Sequence, residues 1–78
     1  MLIDARGLKN PEHIREFKRH LEGLCSVFVD VDVLIDDDKE DLRKFEIYIR
    51  SCRADYTVEK EDDGHLRVKI KAPFSMCG

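Results

Sequence analysis

The residues best placed to do chemistry stand near the start of the chain, in the run Asp4-Ala5-Arg6-Gly7-Leu8-Lys9-Asn10-Pro11-Glu12-His13. Asn10-Pro11-Glu12 reads as a helix start. Asn caps well, Pro suits the first helical position, and Glu favours the positive end of the helix dipole. Such a start offers backbone N–H groups that lower the pKa of a thiol or hold an anion. Asn10 brings an amide there, able to cap the helix or hydrogen-bond a ligand but without a nucleophilic atom. His13 follows one turn in. Read as an exposed first-turn residue, it is either plainly solvated or a proton donor and anion contact.

The remaining soft nucleophiles are Cys25, Cys52 and Cys77. No C-x-x-C pair joins them, so a zinc site with His20 is the lesser reading and no metal or cofactor is expected. Cys77, near the end of the chain, is the thiol expected to be exposed and reactive. Asp30, Asp32, Asp36, Asp37, Asp38, Glu40 and Asp41 form the strongest charge feature. It reads first as a solvated strand face leading into a charged helix start, and second as a docking surface for a basic partner. There is no phosphate-cradling glycine loop, Ser-His-Asp pattern or metalloprotease motif, so the sequence itself offers no enzyme.

The elements that must position these groups follow from hydrophobic period. Residues 2–5 read as a first strand, and Ile14, Phe17 and Leu21 give a helical stripe after Asn10. Gly23 suits a left-handed helix end, with Leu24 expected to fold back onto the stripe. Residues 26–35 read as one strand, with Val27, Val29, Val31 and Val33 on one face. Asp36-Asp37-Asp38 caps a second helix carrying Leu42, Phe45, Ile49 and Cys52. Its middle also alternates like a strand, but the longer helical stripe and the strong cap decide for helix, which turns Ile47 outward.

The last third reads as a hairpin. Ala54, Tyr56 and Val58 alternate on one side, and Leu66, Val68 and Ile70 on the other. A two-residue turn would put the apolar faces on opposite sides of the sheet. A three-residue loop, Asp62-Asp63-Gly64, instead pairs Val58 with Val68 and Glu59 with Arg67. Pro73 ends the strand and leaves a short tail. The order is βαβαββ: an α+β, two-layer sandwich with two helices on one face of a four-stranded mixed sheet.

Seventy-eight residues make a single domain, 1–78, with the tail from about residue 73. A net charge of −3 disfavours general nucleic-acid binding, which needs a basic face. No stretch reaches the roughly 20 apolar residues that span a bilayer, and no signal peptide opens the chain. Three cysteines, an odd number, suit a reduced cytoplasmic protein better than a disulfide scaffold.

The opening run resembles the signature of the TusA/SirA-like sulfur-carrier family, Asp-x-x-Gly-Leu-x followed by Cys-Pro-x-Pro at a helix start. Asp4, Gly7, Leu8 and Pro11 match, while Asn10 fills the cysteine position and His13 that of the second proline. The element order is also that of the family. The resemblance implies a sheet order of 1-2-4-3 with the last strand antiparallel to the others. It implies sulfur-relay proteins as partners and Asp4, Gly7, Leu8, Asn10, Pro11, Glu12 and His13 as the motif or binding residues. In that fold Cys25, Cys52 and Cys77 lie at the end opposite Asn10, about 23 Å away along a seven-residue strand.

The expectation is a divergent member: a small protein-binding or regulatory module linked to sulfur relay, lacking the sulfur-carrying Cys. The alternatives are an active sulfur-transfer protein using Cys77 and a nucleic-acid-associated adaptor. The acidic balance disfavours the adaptor.

Overall fold

The computed structural model describes residues 1–76. Strand β1 (Leu2–Asp4) is followed by a turn in which Gly7 takes φ 82°, a left-handed value that a side chain resists. Helix α1 (Glu12–His20) carries His13 and Phe17 inward, with Leu21 buried at its end. Gly23, at φ 85°, ends this segment as expected, but Leu24 stays half exposed and does not return to the stripe.

The valine alternation predicts one strand over residues 26–35; the structure divides it. Strand β2 (Ser26–Val27) joins a separate two-stranded ladder, and β3 (Val31–Asp36) enters the main sheet. Asp30 marks the break. Its carbonyl accepts from the N-terminal ammonium of Met1 at 3.2 Å, and its carboxylate accepts from the Ala72 N–H at 2.8 Å. Phe28 and Val29 are therefore exposed, while Val27, Val31 and Val33 are buried.

Helix α2 (Lys39–Ser51) starts from Asp38, whose carboxylate accepts from the Glu40 and Asp41 N–H groups at 3.0 Å each. Phe45, Ile49 and Cys52 face inward, Leu42 packs at the margin of the core, and Ile47 points out. Strands β4 (Asp55–Asp62) and β5 (His65–Lys71) form the hairpin. Val58 pairs with Val68 and Glu59 with Arg67, which is the expected register. The device that achieves it differs: the turn has two residues, Asp63-Gly64, and a bulge between Lys60 and Asp62 absorbs the odd residue. The expected tail is also more ordered than a tail. Phe74 is buried and forms β6 (Phe74–Ser75) against β2.

The four-stranded sheet has the order β1-β3-β5-β4, with β1 and β3 parallel and β5 antiparallel to both of its neighbours. It is the α+β two-layer arrangement read from the sequence. Ile3, Val33, Ile35, Val68 and Ile70 line its helix-facing side, where Phe17 and Phe45 meet edge to face at 5.6 Å. The other side carries charge pairs, such as Arg67 between Asp32 (2.7 Å) and Glu61 (2.8 Å). No helix among the described residues is long and apolar enough to cross a membrane.

Candidate functional site

The loop joining β1 to α1 is fastened by carboxylates from the start of α2 and the end of β3. Gly7 N–H donates to Asp36 Oδ1 at 2.8 Å, and Asn10 N–H donates to Asp41 Oδ1 at 3.1 Å. Lys9 spans the same groups, with Nζ at 3.4 Å from Asp41, 3.5 Å from Asp36 and 3.9 Å from Asp38. Desolvation alone would lower the Lys9 ammonium; the three carboxylates outweigh it and hold the group above its ordinary value. Part of the acidic cluster thus binds the motif loop of its own chain.

Asn10 is not the helix cap. The Asn10–Pro11 peptide is cis, α1 begins at Glu12, and Pro11 occupies the cap position without any side-chain cap bond. The first-turn amides find backbone partners instead. Glu12 N–H and His13 N–H both reach the Lys9 carbonyl, at 2.6 and 3.3 Å, and Ile14 N–H and Arg15 N–H both reach that of Pro11 at 3.1 Å. Proline has no N–H to offer. The donors that would hold an anion or a thiolate beside Asn10 are therefore occupied.

His13 departs from expectation more sharply, since it is fully buried. Its ring lies 5.4 Å from that of Phe45. Nδ1 accepts the Ile14 N–H at 2.9 Å, so Nε2 is assigned as the protonated nitrogen, donating to the Asp41 carbonyl at 2.8 Å. A ring held on both nitrogens inside the core is a structural pin, not a solvated residue. Asp41 is buried too; its Oδ2 lacks a hydrogen bond and has the Lys9 ammonium as its neighbour.

A signal for this pair is present in the sequence. His13-Phe17-Leu21 and Asp41-Phe45-Ile49 are two runs at i, i+4, i+8, and each polar residue begins its stripe on the buried face. Reading only apolar residues as stripe members hides both.

The other motif residues are spread more loosely. Asp4 is exposed and salt-bridged to Arg6 at 2.8 Å; the Arg6 side-chain hydrogen bonds bring its carboxyl down to about 2. Leu8 packs partly against the core, and Glu12 pairs with Arg15 on the surface. Among the described residues no group of His, Cys, Asp or Glu is arranged to hold a metal ion.

Cys52 closes α2 at the end away from Asp41. Thirteen helical residues at about 1.5 Å each put roughly 20 Å between the two ends. Cys25 joins Cys52 at that far end, where both carbonyls accept from the C-terminal segment. The expectation of an all-reduced chain does not hold, because Cys25 is disulfide-bonded. The reactive role expected of Cys77 lies outside the described residues.

The α2 cap makes acid sensitivity predictable. Hydrogen bonding from the Asp41 N–H, assisted by Lys9 and the Glu40 N–H, holds the Asp38 carboxyl below its ordinary value. A depressed carboxyl stabilises the fold above its unfolded pKa of about 3.9, and that contribution is lost as pH falls through the folded value. Thermal midpoints should therefore decline as the pH drops below about 4. Asp38→Asn, which keeps a capping side chain but not the charge, should lessen that decline, with the salt-bridged Asp4 keeping its own share; an acid limb identical to the parent's would remove Asp38 as a contributor.

Comparison of the chain with protein-family models, with curated proteins and with solved structures returned no match.

Proposed function

We propose that this chain is a protein-binding or regulatory module on a TusA/SirA-like scaffold, linked to sulfur relay and unable to carry sulfur at the family position. We place it in the cytoplasm with sulfur-relay proteins as its partners. The observation that carries the reading is the state of the β1–α1 loop. Asn10 supplies no thiol, the first-turn amides bond to backbone carbonyls, and Asp36, Asp38 and Asp41 surround Lys9. A persulfide anion would meet occupied donors and negative charge.

What the loop retains is a fixed shape. Gly7 and Asn10 are pinned through their backbone N–H groups, and His13 anchors the first turn of α1 to α2. An immobilised loop presents side chains at little ordering cost, which favours recognition by a partner.

The test pairs binding with mass. The purified chain is incubated with a cysteine desulfurase and cysteine, and intact mass is read alongside binding to the desulfurase and to a relay protein. Binding to either without the added mass of sulfur supports the module. Sulfur gain that disappears in Cys77→Ser would overturn it in favour of an active carrier on that thiol. Absence of binding to both proteins would remove the link to sulfur relay.

A further inference from the structure

The four-stranded sheet has two open edges, and they are unequal. β1 offers three residues, whereas β4 offers eight, all exposed except the half-buried Tyr56. In an antiparallel pair, every second N–H and C=O of an edge strand turns away from its neighbour. Along Asp55–Glu59 those outward groups meet no other described residue, because the backbone hydrogen bonds of this run go to β5 alone. The run contains neither proline nor lysine. Lys60 and the bulge between Lys60 and Asp62, two devices that keep further strands from adding, guard only the later half of β4.

The charge beside this edge selects what can add to it. On the sheet face away from the helices, Asp55, Thr57 and Glu59 stand in a row, since alternate residues of a strand share a face. Lys71 lies across from Asp55, and Lys69 lies between Thr57 and Asp32 in the ladder. A hollow of about 300 Å³ opens around the short Thr57. Carboxylates from Asp30, Asp32, Asp55 and Glu59 line it against the ammonium groups of Lys69 and Lys71. Glu59 engages Lys69 at 3.7 Å and Arg67 engages Asp32 at 2.7 Å. The Asp55 carboxylate forms no hydrogen bond or ion pair with any described residue, the Lys71 opposite it included. A second copy of the chain would set the four carboxylates and single ammonium of β4 against the same set, like charge against like. A cationic strand suits the edge instead.

We propose that the Asp55–Glu59 edge of β4 takes an added strand from a basic extended peptide, whose Lys or Arg side chain enters the hollow beside Asp55. Main-chain hydrogen bonds supply the attachment, and the acidic hollow supplies the selection. The site lies on the opposite edge of the sheet from the β1–α1 loop and uses no sulfur chemistry.

The experiment titrates the isotope-labelled full chain with the capped peptide Lys-Val-Lys-Val-Lys and reads backbone amide shifts and hydrogen exchange residue by residue. Shifts and slowed exchange are expected within Asp55–Glu59 and not in β1. Methylating every backbone nitrogen of the peptide keeps its charge but removes its donors, and is expected to weaken binding about tenfold or more. Asp55 is exposed, so Asp55→Asn keeps the fold and is expected to weaken binding about threefold. Equal binding of Glu-Val-Glu-Val-Glu or of the methylated peptide would overturn the proposal, as would undiminished binding by Asp55→Asn. Shifts confined to residues 36–41, or no shift at millimolar peptide, would overturn it as well. Protection of β4 that grows with protein concentration in the absence of peptide would assign the edge to a second copy, with the same consequence.

Discussion

Phe45→Ala should destabilise the fold by about 3–5 kcal/mol, the range for removing a fully buried aromatic ring. A chain of this length has roughly 4–12 kcal/mol in total, so the substitution is expected to remove from about a quarter to all of it. The reason lies in its position. Phe45 touches the rings of both Phe17 and His13, so it joins the α1–α2 contact to the pinned loop. Phe45→Leu, which leaves most of the volume filled, should cost about 1–1.5 kcal/mol. Ile47→Ala, on the outer face of the same helix, should stay within about 0.5 kcal/mol. Urea midpoints check all three. In Phe45→Leu, faster amide exchange at Asn10 would show the loop loosening with the core. Equal urea midpoints for Phe45→Leu and Ile47→Ala would refute this account of α2.

Much of the fold can be read from the chain because its main signals are local. The Asp38 cap and the Phe45–Ile49–Cys52 stripe settle α2 against its strand-like middle. Cross-strand register, with Val58 opposite Val68, settles the hairpin even though a bulge, not a longer loop, achieves it. The misreadings share a different cause. Each involves a polar residue or chain end whose partner is distant in sequence. Asp30 breaks the long strand because it binds Met1 and Ala72, and Phe74 becomes a strand because β2 lies nearby in space. His13 and Asp41 read as surface residues because each is the polar first member of its buried stripe, and the hydrogen bond that joins their segments spans 28 positions. The candidate site is thus half legible: its place in the fold can be read and helical spacing marks its buried pins, but its occupied amides cannot be read.

Placing a cysteine at position 10 tests the proposed relation to sulfur carriers. In Asn10→Cys, the new thiol would stand where the backbone N–H already meets Asp41, with Asp36 and Asp38 reached through Lys9. An unperturbed thiol titrates near 8.5, and lowering it needs free amides or a net positive surround. Here the amides are taken and three carboxylates face one ammonium. The thiol is therefore expected to titrate at or above about 8.5, and the variant to accept sulfur slowly from a desulfurase at neutral pH. Adding Asp36→Asn keeps an oxygen for the Gly7 N–H while removing one charge. If that lowers the thiol by about one pKa unit, the thiolate fraction near pH 7 rises about tenfold. Alkylation rates measured against pH in Asn10→Cys, with and without Asp36→Asn, report this directly. An introduced thiol that titrates below about 7 and loads readily would mean that the loop's electrostatics suit a sulfur carrier. Unfitness for sulfur carriage would then reside in residue 10 alone; the geometry of the loop predicts instead that it is shared with the carboxylates that hold the loop in place.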